Sequence, residues 1–134
     1  MTTEVLRYTQ SLCEALETDY RLYTVRSHRN SINKNIDDWS VSYHQEQLDK
    51  IREGSYDFGY TFTIDEGKKY LKVVMISHGS RSVHAFVDKK TGEVYKSASW
   101  KSPAKGVRYN LMDTVSRDNC YRLADWAGTY LYKR

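Results

Sequence analysis

Residues 88–109, DKKTGEVYKSASWKSPAKGVRY, gather the residue types that could do chemistry. Six cations (Lys89, Lys90, Lys96, Lys101, Lys105, Arg108) stand against two acids (Asp88, Glu93). That surplus of four equals the formal net charge of the whole chain, +4, so the remainder is neutral in sum. Tyr95 and Trp100 lie between the cations, and Tyr109 follows the last of them. Charge interleaved with aromatic rings suits a ligand that carries phosphates and planar bases, since the cations neutralise the first and the rings stack on the second. On this reading Lys96, Lys101, Lys105 and Arg108 neutralise phosphate and Trp100 and Tyr109 stack, while Lys89 and Lys90, at a hairpin tip, only steer. Lys96 and Trp100 share a strand face if the strand runs that far, and Pro103 and Gly106 can turn the loop back over the indole. The competing reading is a solubilising loop above a packed Trp100. The two differ over whether Trp100 is accessible and whether the four cations reach one shared anion.

Other constellations are weaker. His78 and His84 flank a tight turn, but a metal pair needs further converging ligands and the pattern supplies none. Asp37–Asp38 suits a helix start and Asp65–Glu66 a turn, so neither is a convincing acid–base pair. No nucleophile elbow, phosphate-binding GxxxxGK[ST] loop or dinucleotide GxGxxG is present. No catalytic residue, metal or cofactor is therefore assigned. For a small nucleotide-cleaving enzyme, only His78, His84 and Lys96 merit naming.

The elements that must position these residues follow from periodicity. Val5, Leu6, Thr9, Leu12, Cys13, Leu16 and Tyr20 keep the helical period and predict a helix over 3–19, with Thr2 or Thr3 as its cap. A short strand over 20–25 and a polar loop over 27–35 come next. A second helix starts at Asp37 or Asp38 and ends at Gly54. From Tyr56 the period becomes two, predicting strands over 56–64, 70–77, 83–87 and 94–99 joined by short turns. Asp88 is placed to accept turn amides and Gly92 to take a positive φ. After a loop over 102–110, a last helix is expected over 114–131. The predicted fold class is α+β: a four-stranded antiparallel meander with N- and C-terminal helices on one face. Leu12, Leu16, Phe62, Val73, Met75, Phe86, Leu123 and Trp126 should be largely buried.

The 134 residues fit a single domain over 1–134, and 40% apolar with 28% charged residues is globular composition. Twelve tyrosines point to a thin core or to an aromatic binding face. Cys13 and Cys120 fall on apolar helical stripes and read as buried, reduced thiols. With no leader-like start and no long apolar run, the expectation is a soluble intracellular protein without a membrane partner.

Residues 82–111, SVHAFVDKKTGEVYKSASWKSPAKGVRYNL, and 124–132, ADWAGTYLY, resemble a family of small uncharacterised proteins of tailed bacteriophages, especially marine cyanophages. The resemblance implies a phage gene expressed in the cytoplasm of an infected bacterial host, with host takeover, counter-defence, nucleic-acid handling or a minor virion role all open. It brings no catalytic residues. The leading expectation is a non-enzymatic binding protein for a phosphorylated nucleotide, either nucleic acid or a nucleotide signal of host defence. The alternative is a protein–protein interaction or virion assembly protein, for which the tyrosine excess speaks.

Overall fold

The computed structural model describes residues 3–34 and 37–132. In chain order the elements are α1 (Thr3–Lys34), α2 (Asp38–Glu53), β1 (Tyr60–Glu66), β2 (Tyr70–Ser77), β3 (Ser80–Asp88), β4 (Glu93–Lys96), β5 (Tyr109–Asn110), α3 (Thr114–Leu123) and a 3-10 turn, Thr129–Leu131. The strands form one antiparallel sheet in the order β1-β2-β3-β4-β5. The chain divides into two compact units, one made of Met1–Asp19 and Tyr60–Arg134, the other of Tyr20–Gly59.

In the first unit the fold is the expected α+β meander, with β5 added as a short fifth strand. Phe62 and Ile64 of β1 pair with Met75 and Val73 of β2, which fixes one face of the sheet as apolar. Val5, Leu12, Cys13 and Leu16 of α1 share a core with Phe62, Leu71, Val73, Ala85, Val87 and Val94 of the sheet and with Cys120 of α3. Both helices thus use the same sheet face. The β2–β3 turn holds His78 and Gly79 at positive φ, as a two-residue hairpin turn requires, with Ser77 opposite Ser80. Asp88 accepts hydrogen bonds from the amides of Lys90 (2.8 Å) and Thr91 (3.0 Å). Gly92 has φ 78°, and a Cβ there would stand 2.8 Å from Met112 Cγ.

Three expectations are corrected. The strand over 20–25 and the loop over 27–35 are instead the continuation of α1 to Lys34. No Gly or Pro interrupts residues 3–34, Thr24 Oγ1 bonds back to the Tyr20 carbonyl at 2.9 Å, and Lys34 suits a helix C-terminus. β1 begins at Tyr60, because Asp57 accepts from the Gly59 amide (2.9 Å) in a turn and Gly59 has φ 73°. The last helix ends at Leu123: the Asp19 carboxylate accepts from the Trp126 amide (3.0 Å), the Asp125 carbonyl accepts from the Gly128 amide, and Gly128 is left-handed. With its stripe cut short, Leu123 is exposed, and Trp126 is only partly buried against the core. Of the proposed caps of α1, Thr2 lies outside the described residues.

In the second unit, α2 starts and stops where its residues demand. The Asp37 carboxylate accepts from the Trp39 amide, and Gly54 forms a left-handed C-cap bonded to the Ile51 carbonyl. α2 buries none of its residues. Trp39 and Tyr43 stack, ring centres 5.9 Å apart, and both are exposed. His28 Nδ1 lies 2.8 Å from His44 Nδ1, so one ring donates and the other accepts.

Both cysteines are buried in the first unit, and burial pushes each thiol up to about 12. Thiolate is the reactive form. Labelling of the native protein with a thiol reagent near neutral pH should therefore be far slower than labelling of the denatured chain. Rapid native labelling of either residue would contradict this packing.

Candidate functional site on the outer sheet face

The sheet face away from α1 and α3 carries the even-numbered residues of β2, among them Tyr70, Lys72 and Val74. Lys72 stands opposite Phe86, and Phe86 opposite Tyr95, in one row across three strands. Phe86 and Val74 are as buried as the core, so this face is a second packed layer. Tyr70 meets Phe86 edge-on at 5.5 Å and Tyr95 at 6.1 Å.

After β4 the chain makes a small hairpin. Ser97 pairs with Pro103, and the amides of Ala98 and Ser99 donate to the Ser102 carbonyl. Ser99 and Ser102 hydroxyls bond at 3.0 Å across its base. Trp100 sits at the tip, 42% exposed. Lys72 Nζ lies 4.8 Å from its ring centre and the Arg81 guanidinium carbon 5.6 Å. Asp65 accepts a hydrogen bond from Arg81 at 2.6 Å, which holds the guanidinium beside the indole and leaves other N–H donors. Lys101, next in sequence to Trp100, is exposed. The result is an indole with two cations over its ring, on a sheet surface rather than in a cavity.

The residues expected to share one anion part company. Lys101 and Lys105 are exposed on the loop. Arg108 is committed to structure: Nε donates to the Leu131 carbonyl (2.6 Å), and the guanidinium also donates to the carbonyls of Lys105 and Gly106. Tyr109 turns to the helix side, where its hydroxyl donates to the Tyr130 carbonyl. Lys96 stands opposite Ala85, with its ammonium 4.9 Å from the Tyr132 ring centre. The expected convergence of Lys96, Lys101, Lys105 and Arg108 on one anion is not formed, because β4 ends at Lys96, the hairpin carries Trp100 over the outer face, and Arg108 is spent on backbone carbonyls. Lys89 pairs with Glu66 at 2.6 Å and donates to the Gly67 carbonyl.

Lys72 and Arg81 take the places beside the indole that sequence reading gave to others. A trace of them was present, since Lys72 is the one charged residue inside the apolar run YLKVVMIS. Linking it to Trp100 required the register of β2 on β3, which includes an irregularity between Val73 and Val74. Of the residues considered for cleavage chemistry, His84 and Lys96 line one cleft, whereas His78 lies in the β2–β3 turn against Tyr60.

Burial pushes His84 down to about 4, with Asp125 opposing, and burial with His44 lowers His28. Between about 4 and the unfolded value of 6.5 the unfolded chain binds more protons at His84 than the folded one. Stability contributed by neutral His84 is therefore complete above pH 6.5 and is lost as pH falls toward about 4. Urea midpoints should decline through that window, and His84→Phe should flatten the decline. A flat wild-type profile would contradict a neutral buried ring.

These features define an α+β meander with helices on one sheet face and, on the other, an exposed indole in contact with two cations. The chain belongs to a family of unknown function, DUF7717, whose model matches residues 1–133. No curated protein and no solved structure matches it.

Proposed function

We propose that the protein is a non-enzymatic binding protein whose ligand is a phosphorylated nucleotide species, held across the outer sheet face. The observation that carries this reading is the exposed Trp100 indole flanked by Lys72 and Arg81. A base can stack on the indole while the two cations, with Lys101, neutralise the adjoining phosphates. An open face favours a single strand of nucleic acid over a free nucleotide, because small ligands are held in enclosing pockets. On this reading the protein is phage-encoded and acts in the cytoplasm of the infected host, a part of the proposal supported by the resemblance of residues 82–132. Titration of a labelled single-stranded oligonucleotide tests it. Lys72→Ala and Arg81→Ala should each weaken binding, and Lys89→Ala, whose ammonium is held by Glu66, should change it little. Equal loss in all three variants would reduce the site to general charge.

A second reading, an interaction protein of the host or virion, is favoured by α2. A helix that buries none of its residues and displays a stacked Trp39–Tyr43 pair offers the aromatic anchors typical of protein interfaces. Recovery of one stoichiometric protein partner from infected cells, lost on Trp39→Ala, would move this reading to the front.

A further inference from the structure

On the helix side of the sheet, a cleft of about 210 Å³ lies between β3, β4 and the C-terminal segment, with Ser82, His84, Lys96, Trp126, Gly128 and Tyr132 among its walls. The outer-face reading makes no use of it. His84 Nε2 is 2.8 Å from the Tyr130 hydroxyl, and the two rings stack at 5.6 Å. Burial raises Tyr130 well above the usual phenol range, so its proton stays on. Among the described residues that hydroxyl has one hydrogen-bond partner, His84 Nε2. A buried phenol needs an acceptor, so Tyr130 donates and Nε2 accepts. The neutral ring must then carry its proton on Nδ1.

Nδ1 has no partner among the described residues, and none of their sealed side-chain nitrogen or oxygen atoms lacks one. Nδ1 therefore opens into the cleft. Gly128 lines that edge, where a Cβ would stand 3.6 Å from His84 Cε1 and 3.9 Å from Nδ1, in ordinary contact. Lys96 faces the same space. Among the described residues its ammonium has no acid partner, only the Tyr132 ring and a long 3.4 Å contact to the Ser97 carbonyl. A half-buried cation without a counterion beside an inward N–H donor is a receptor for negative charge.

We propose that this cleft binds an oxyanion of phosphate or carboxylate size, with Lys96 supplying the charge, His84 Nδ1–H a directed hydrogen bond, and Tyr130 acting as a positioning residue that fixes the His84 tautomer. The site is separate from the Trp100 surface, so either can fail without the other. Long-range ¹H–¹⁵N correlation of the histidine rings reads the tautomer directly in the unmodified protein. Titration with inorganic phosphate and, in parallel, acetate follows the His84 and Lys96 side-chain signals.

The expected results are a Nδ1–H tautomer and saturable shifts with at least one anion, the tighter of the two identifying the ligand class. Lys96→Met should weaken that binding about tenfold or more, as loss of a charge-assisted hydrogen bond does. Tyr130→Phe should give mixed tautomers and weaker binding. A Nε2–H tautomer in the wild type, the absence of saturable shifts with both anions, or binding indifferent to Lys96→Met would each overturn the proposal.

Discussion

Trp100→Ala is expected to weaken binding of a single-stranded oligonucleotide by about 1–3 kcal/mol, roughly 5- to 150-fold, because base stacking on one aromatic ring is worth that much. The indole is 42% exposed at a hairpin tip, so its removal should leave the fold intact. Lys72 and Arg81 would keep their charges and their places on the sheet, the latter through Asp65. The residual affinity of the variant should therefore remain salt-sensitive while losing the stacking contribution. Anisotropy titrations with a labelled oligonucleotide, paired with urea unfolding, separate the two effects. Unchanged affinity in a folded Trp100→Ala protein would show that the cations act without the ring.

Phe86→Ala should cost about 3–5 kcal/mol of stability, the usual range for removing a buried phenyl ring. Phe86 is 1% exposed although it faces away from α1 and α3. It lies between Lys72 and Tyr95 in the sheet row and packs edge-on against Tyr70. It is the large ring fully buried in that layer, so truncation leaves a cavity directly under the candidate site. Lys72 Nζ is 5.9 Å from the Phe86 ring and 4.8 Å from that of Trp100, and the loss should loosen the platform as well. Leu123→Ala, at an exposed position, should stay within about 0.5 kcal/mol of wild type. Similar small costs for both would mean that the outer face is not a packed layer.

The parts of the fold legible in sequence are those decided by neighbours in the chain. β2 runs from Tyr70 to Ser77 because alternation and turn residues on both sides leave no other frame. The Asp37 and Gly54 caps set α2 for the same reason. The end of α1 was illegible because polar residues 27–34 read as loop, while nothing in them forbids helix. The end of α3 depends on Asp19, more than a hundred residues away, capturing the Trp126 amide. At the site, Trp100 stood out by type. Its cations could not be assigned from adjacency, since Lys96 and Arg108 turn away and Lys72 and Arg81 arrive through strand pairing. Long-range register, not local pattern, assembles that surface.

The central claim is that a nucleic-acid strand lies across the outer face. Its most direct test is the affinity of wild-type protein for the same base sequence as a mononucleotide, a short oligonucleotide and a longer one, each over a range of salt. The predicted result is affinity that rises with length until the face is filled. Log affinity should fall against log salt with a slope of about −2, as three phosphate contacts by Lys72, Arg81 and Lys101 imply for a single strand. Binding equal for mononucleotide and oligonucleotide, with no salt slope, or no binding at any length, would contradict it.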